Sequence, residues 1–386
     1  MNFSNLKLIA DENIPYVEEA FGSLGTVKLL PGRSISPAAI KDAQVLLVRS
    51  ITDVNRELLE QSQVQFVGTA TAGLDHIDSE YLRAREIVFA SAEGGNANSV
   101  AEYVITALLT VARRKGLTLA RKSCGIVGVG NIGRLVRAKA EALGMTVVLN
   151  DPPLARETGD PIYRSLEEAL ACDVVTLHVP LTFDGPFKTF HLLNGDTLGQ
   201  LKPSAIFINT SRGEVVDSRA LLDRLQKNIL GAAVLDVWES EPDIDWHLFK
   251  LASIGTPHIA GYSLDGKAQG TLLLYQALCR HLDLRPTWSP AHSLPPPILP
   301  QIAIKATGEP IETRLYNLIT HIYNIEADHS RMSALLNIPS QNRALAFDGL
   351  RKNYPIRREF YNTRVKLVNG ETDWKRKIWG LGFKIV

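Results

Sequence analysis

Three polar residues stand just past apolar runs in the second half of the chain. They are Arg212 in Asn209-Thr210-Ser211-Arg212-Gly213, Glu241 in Asp236-Val237-Trp238-Glu239-Ser240-Glu241-Pro242, and His258 in Thr256-Pro257-His258-Ile259-Ala260-Gly261. An imidazole can take a hydroxyl proton, and a guanidinium can bind a carboxylate and offset developing alkoxide charge. A carboxylate can hold the imidazole in one tautomer and stabilise its charged form. The set suits oxidation of a small 2-hydroxy acid, with His258 as base, Arg212 as the cation and Glu241 as the partner of His258. Taken singly, two of them have a plainer reading: a strand-end arginine in a surface ion pair, a histidine in a structural hydrogen bond. Their shared placement favours the joint reading, because loops after the C-terminal strand ends of a doubly wound sheet line the ligand crevice. Residues 29 and 17 positions apart can meet there.

A second motif supplies a partner for that chemistry. The apolar run Gly125 to Val127 leads into Gly128-Val129-Gly130-Asn131-Ile132-Gly133 and then into a helical pattern. In this strand-turn-helix context Gly128 permits a tight turn, Gly130 lets backbone N–H groups approach a pyrophosphate, and Gly133 lets helix and strand pack closely. The helix N-terminus favours the negative charge. Asp151 lies eighteen residues past Gly133 at the end of the next strand, where a carboxylate can accept from adenosine ribose hydroxyls and repel a 2′-phosphate. NAD is therefore expected rather than NADP. The plainer reading of Asp151 is a cap on the turn before Pro152-Pro153. The cysteines form no CxxC or metal-ligand spacing.

The elements that must position these residues are legible as apolar runs. Leu6 to Ala10, Val27 to Leu30, Val45 to Val48, Phe66 to Thr69 and Ile87 to Ala90 alternate with amphipathic segments, a βαβ rhythm. The runs are apolar at consecutive positions, as strands covered on both faces require, so a parallel sheet is expected. A helix over Ser99 to about Val111 precedes a second series, Gly125 to Val127, Thr146 to Asn150, Val174 to Leu177, Ala205 to Asn209 and Ala232 to Asp236, with helices over Ile132 to Leu143 and Arg219 to Asn228. This predicts a doubly wound sheet. A further helix over Gly266 to His281 is followed by six prolines within residues 285–300, which reads as a linker. About 85 residues remain, with helix-like Ile311 to Tyr323 and strand-like Arg364 to Val368, enough for a small third domain.

Composition narrows the function classes. The 386 residues are 45% hydrophobic and 22% charged with a net charge of +1, which leaves no electrostatic footprint for nucleic acid or a membrane surface. Cys124, Cys172 and Cys279 are odd in number and far apart, as suits a reducing compartment. The N-terminus lacks the apolar stretch of a signal peptide, and no run approaches the ~18 apolar residues of a membrane span. A cytoplasmic location is expected.

Through Gly128 to Gly133, Asn209 to Gly213, Leu235-Asp236-Val237 with Glu241-Pro242, and Pro257-His258, the sequence resembles the D-isomer-specific 2-hydroxyacid dehydrogenases. The resemblance implies catalytic roles for Arg212, Glu241 and His258, and a place beside the nicotinamide for Asp236. It implies a doubly wound parallel-sheet Rossmann domain (98–259) inserted in a split, flavodoxin-like substrate domain (1–97 and 260–285). Further stretches, Ala10 to Tyr16, Gly68 to Gly73 with Asp75-His76, Gly255 to Tyr262 and Leu350 to Tyr354, resemble a subfamily acting on a small phosphorylated 2-hydroxy acid. In that subfamily a C-terminal α+β domain, here 286–386, forms a homodimer. By the same resemblance Ser50, Thr71 and Tyr262 contact substrate and Gly261 contacts cofactor. Val179 stands where relatives carry a threonine, so only its backbone can contribute. For the substrate phosphate, Arg49 after the strand Val45 to Val48 is the first candidate. Arg351, Lys352, Arg357 and Arg358 of a partner chain are the second, against a plainer reading as a solvated face. Competing readings are a phosphoglycerate- or lactate-type dehydrogenase, an NAD-sensing corepressor-like scaffold, and a nucleotide-binding structural protein.

Overall fold

A computed structural model describes residues 6–305, 308–368 and 372–386. The chain divides into two compact units, Met1–Asn96 with Ser263–Pro295, and Ala97–Tyr262 with Pro296–Val386. In the first unit the strands β1 (Lys7–Asp11), β2 (Thr26–Leu30), β3 (Val45–Val48), β4 (Phe66–Thr69) and β5 (Val88–Ser91) form one parallel sheet in the order β2-β1-β3-β4-β5. That is the flavodoxin-like order. Neighbouring residues of one strand serve opposite faces: Val45 and Leu47 join a cluster with Leu274, Tyr275 and Leu278 of the helix Leu264–His281, while Leu46 and Val48 pack with Ile40, Leu59 and Leu82. Two-sided burial is the physical reason these strands read as unbroken apolar runs.

The second unit holds a six-stranded parallel sheet of β6 (Ser123–Val127), β7 (Thr146–Asn150), β8 (Val174–Leu177), β9 (Ile206–Asn209), β10 (Ala232–Leu235) and β11 (Ile254–Gly255), in the order β11-β10-β9-β8-β6-β7. The order reverses at β6, so the crevice outside its C-terminal end, where the glycine motif lies, is the topological switch point. The helix Ala97–Lys115 runs along this sheet with every residue from Ser99 to Ala112 buried. β11, at two residues, is too short for periodicity to reveal.

The last segment carries a parallel sheet of its own, β12 (Gln301–Lys305), β13 (Arg364–Val368) and β14 (Lys384–Ile385), with the helices Ile311–Thr320, Ile325–Ser333, Ser340–Lys352 and Thr372–Gly380. The expected separate domain from 286 onward differs from what is found. The break falls at Pro295/Pro296, and the segment does not close a core by itself. Leu315, Leu318, Ile319, Trp374 and Ile378 share one apolar cluster with Val104 and Leu108 of the helix Ala97–Lys115 and Ile126 of β6. Buried ammonium groups fasten the join, Lys139 Nζ donating to the Leu381 carbonyl at 2.7 Å and Lys377 Nζ to that of Leu143 at 3.2 Å.

A buried charged cluster sits in the same join. Glu102 accepts from the Phe360 N–H at 2.9 Å and Asn98 Nδ2 at 3.0 Å; Glu359 accepts from Asn98 Nδ2 at 2.7 Å and the Ser99 hydroxyl at 2.5 Å. Desolvation, then the nearby Glu359 charge, pushes the Glu102 carboxyl up to about 8, against the pull of Lys139, the Phe360 N–H and Arg357. A folded-state value above the unfolded one means stability fully present at low pH and lost as pH rises from the ordinary carboxylate range through about 8. We expect Glu102→Gln to flatten that loss, narrowing the fall in stability between pH 5 and 8.5 by on the order of 3 kcal/mol, from ~1.4 kcal/mol per pH unit. Parallel melting curves for variant and wild type across this range would contradict the assignment.

Candidate active site

The glycine motif is shaped as a cradle. Gly128 has φ +90°, and a Cβ there would lie 2.5 Å from the His178 carbonyl oxygen; at Gly133 it would lie 2.1 Å from that of Gly128. At Gly130 a Cβ would meet nothing within 4 Å, so the backbone faces open space. The twelve-residue helix Asn131–Ala142 starts there with no side chain capping it. Val129 is buried behind the loop, Ile132 is half-buried and Asn131 is exposed. An uncapped helix start behind an open glycine backbone fits a pyrophosphate, whose charge the first-turn N–H groups and the helix dipole favour. Asp151 Oδ2 accepts from the Val129 N–H at 2.8 Å and its Oδ1 from the Leu154 N–H at 3.0 Å. The plainer reading of Asp151 as a cap therefore holds, and the same half-exposed carboxylate is fastened to the glycine loop. Val179 lies at the rim, its backbone nitrogen 2.9 Å from where a Cβ on Gly128 would be.

The histidine loop hangs on one carboxylate. Asp236, 1% exposed, accepts from the Thr256 hydroxyl at 2.6 Å, the Ile259 N–H at 2.8 Å and the Ala260 N–H at 2.8 Å. Its backbone carbonyl takes the His258 N–H at 2.7 Å. Thr256 spends its proton on Asp236, so at 2.6 Å it must accept from the Tyr103 hydroxyl. Burial raises the Asp236 carboxyl, against the lowering pull of His258 and these donors. His258 itself has φ 56°, a left-handed conformation that costs a non-glycine residue ~1–2 kcal/mol and persists only where surrounding bonds impose it. The family resemblance puts Asp236 beside a nicotinamide. Here it mainly organises the loop, and any ligand contact must use the one acceptor position its three donors leave.

That loop sets His258 Nδ1 2.8 Å from Glu241 Oε2, with the glutamate side chain only 18% exposed. Glu241 Oε1 accepts from the Trp238 N–H at 2.9 Å. Burial pushes the Glu241 carboxyl up, but the charges of His258 and Arg351, with the bonds from His258 and Trp238, overcome it, and the net shift is downward. A carboxylate on Nδ1 leaves Nε2 as the nitrogen that can exchange a proton with a ligand. Arg212 follows β9, whose Asn209 lies level with Leu235 of β10, and Gly255 of β11 is level with Leu235 in turn. A Cβ on the adjacent Gly213 would fall 1.9 Å from the Trp238 carbonyl carbon. The arginine loop thus rests directly on the segment that bears Glu241. The Arg212 carbonyl takes Asn209 Nδ2 at 2.9 Å, and its Nη1 donates to the Ser211 carbonyl at 2.7 Å. Gly261 and Tyr262 follow on the same loop, both half-buried.

Several contributors gave no sequence signal. His191 Nε2 meets Glu239 Oε1 at 2.7 Å, and Glu239 Oε2 takes the Ser218 N–H, a second histidine-carboxylate pair that pins the 236–241 segment. His178 bridges Thr176 and Thr210, and desolvation pushes its imidazole down to about 3, so it stays neutral. A histidine or glutamate beside a motif is indistinguishable from these by spacing alone. In the first unit, Arg49 (half-buried) and Ser50 (exposed) follow β3, and Thr71 follows β4, with its hydroxyl donating to the Gly73 carbonyl at 2.9 Å.

Residues 102–260 match a family model described as D-isomer specific 2-hydroxyacid dehydrogenase, NAD binding domain, and residues 293–379 match a domain of unknown function, DUF3410. The chain is 42% identical to erythronate-4-phosphate dehydrogenase of Hahella chejuensis, over 98% of this chain and 99% of that protein. It is 46% identical to the protein of the same name in Pseudomonas syringae pv. tomato, over 95% and 96%. Among solved structures, TT0316 protein from Thermus thermophilus is similar with a TM-score of 0.64 and 27% identity over 73% of this chain and 98% of that one. D-Lactate dehydrogenase from Aquifex aeolicus, complexed with NAD and lactic acid, is similar with a TM-score of 0.59 and 25% identity over 72% and 95%.

The Asp236 geometry generates a stability test. Asparagine keeps one acceptor oxygen but turns an NH2 toward a buried donor, so Asp236→Asn should lower unfolding stability by ~2–4 kcal/mol. Urea denaturation reads this directly; an unmoved midpoint would show that the carboxylate does not hold the loop.

Proposed function

The chain belongs to the D-isomer-specific 2-hydroxyacid dehydrogenase family, among its erythronate-4-phosphate dehydrogenases, and from that premise we propose how its residues oxidise 4-phospho-D-erythronate to 3-hydroxy-2-oxo-4-phosphooxybutanoate. We read the reaction as a step of vitamin B6 biosynthesis. The observation that carries the mechanism is the 2.8 Å bond between His258 Nδ1 and Glu241.

NAD is the cofactor and supplies the hydride acceptor when bound. Gly128, Val129, Gly130, Asn131, Ile132 and Gly133 would hold its pyrophosphate, Asp151 its adenosine ribose, and the backbone of Val179, Asp236 and Gly261 its remaining contacts. His258 Nε2 takes the proton from the C2 hydroxyl as C2 gives up its hydrogen with the bonding pair. Glu241 stabilises the imidazolium that results and fixes the ring for the reverse step. Arg212 binds the C1 carboxylate with its planar fork and draws negative charge from the C2 oxygen. Tyr262 completes the substrate contacts of this unit. Ser50, Thr71 and Arg49, at strand ends of the other unit, are assigned to substrate.

We also propose a homodimer formed through residues 296–386. Support comes from Ile298, Leu345, Ile356 and Trp379, large apolar side chains that are 93%, 79%, 62% and 73% exposed in this segment. Among the described residues no helix is long and apolar enough to cross a membrane. The three cysteines are free and buried, which supports a reducing, cytoplasmic setting.

NADH formation with 4-phosphoerythronate, 3-phosphoglycerate, lactate and erythronate tests the substrate; activity confined to unphosphorylated acids would overturn the assignment. His258→Ala should retain NAD binding and lose roughly two to four orders of magnitude in kcat; undiminished turnover would remove it from the mechanism and favour a cofactor-sensing scaffold. In Glu241→Gln the imidazolium loses its counter-charge and the ring its fixed orientation, so kcat for oxidation should fall by roughly one to two orders of magnitude with NAD binding retained. An undiminished kcat contradicts the pairing.

A further inference from the structure

With Arg212 assigned to the carboxylate, the second anionic group of the substrate calls for another cation. The helix Ser340–Lys352 ends beside the histidine loop, where Leu350 and Tyr354 line a small hollow with Pro257, Asp328 and Arg331. The Tyr354 ring meets that of Tyr262 edge-on at 5.9 Å, and its hydroxyl donates to Asp328 Oδ2 at 2.9 Å. This seat carries Arg351 to Tyr262, with which its guanidinium is hydrogen-bonded, and brings its charge to bear on Glu241. The Arg351 side chain is 24% exposed, and its Nε is buried with no hydrogen-bond partner. Asp348 Oδ1 stands 3.8 Å from Nη1, beyond hydrogen-bond length. A guanidinium fork offers five donors in fixed geometry, and a buried donor on a charged group is costly to leave unmet. A cation held this way, next to the catalytic pair and with donor capacity in hand, is suited to an oxyanion ligand.

We propose that Arg351, seated by the C-terminal segment of the same chain and bonded to Tyr262, is the specificity-determining residue that recognises the phosphate of the substrate. The proposal rests on the reading that the substrate is 4-phosphoerythronate. It makes the C-terminal segment part of the site as well as part of the core. It also replaces both the solvated-face reading of Arg351 and the expectation that this residue reaches the site from a partner chain.

The test is steady-state kinetics of wild type, Arg351→Gln and Arg351→Lys with 4-phosphoerythronate and with erythronate, alongside melting midpoints and NADH binding by fluorescence. In Arg351→Gln, KM for 4-phosphoerythronate should rise roughly 10- to 100-fold with kcat little changed, while kcat/KM for erythronate stays within about threefold. Inorganic phosphate should weaken as a competitive inhibitor in parallel. Arg351→Lys, which keeps the charge but loses the fork, should fall between the two. If Arg351 is only the counter-ion of Glu241, both substrates lose alike and the acid limb of the pH profile shifts; that result overturns the proposal. Wild-type preference for the phosphorylated acid that survives both variants overturns it too. A wild type indifferent to the phosphate overturns the substrate reading first, and this inference with it.

Discussion

A buried carboxylate with three donors is the constraint on which the geometry of the His258–Glu241 pair depends. Asp236 gathers Thr256, Ile259 and Ala260 around its two oxygens and, through its own carbonyl, the backbone of His258. These bonds hold His258 at a positive φ that a residue with a side chain avoids. The imidazole therefore meets Glu241 because the loop leaves it little alternative. The strain at His258 is offset by hydrogen bonds in a water-poor interior, where each is stronger and each omission costlier.

The fold brings the remaining parts to that place by register. Asn209, Leu235 and Gly255 lie level across β9, β10 and β11, so the arginine, glutamate and histidine loops leave the sheet side by side. Gly213 allows the first of these loops to rest on the second, since any side chain there would collide with the Trp238 peptide. On the other side of the sheet order's reversal, Gly128 and Gly133 set the cradle at the end of β6. The C-terminal segment closes the arrangement from behind. It shares the core of the helix Ala97–Lys115, and the Arg357 Nη2 donates to the Ala260 carbonyl at 2.6 Å, on the same loop that Asp236 holds.

Much of this was legible in the sequence, for reasons that are local. Strands β3, β4 and β8 are buried on both faces, so runs without polar alternation, such as Val45-Leu46-Leu47-Val48, announce them. The glycine spacing is dictated by close approaches of backbone to backbone, which only glycine permits. Glu241 and His258 could be paired because each follows a strand in a fold whose strand ends converge. What stayed hidden depends on long-range placement. Asp236 carries an acidic residue's signature, but nothing local says that its oxygens turn back to a loop twenty residues on. Arg351 sits in a basic helix end that reads like any solvated face until the helix is docked. The shared core of residues 296–386 was equally invisible, because amphipathic periodicity gives the apolar side of a helix but not its partner.

The proposed proton transfer depends on which nitrogen of His258 is free to exchange a proton with substrate. Nitrogen-15 NMR of histidine-labelled protein, followed through the pH range of activity with the His258→Ala spectrum for assignment, observes this directly. With Glu241 ionised on Nδ1, the neutral ring should keep its proton at Nδ1 and present a bare Nε2. A neutral ring protonated at Nε2 would contradict the mechanism, since that nitrogen could not then act as the base.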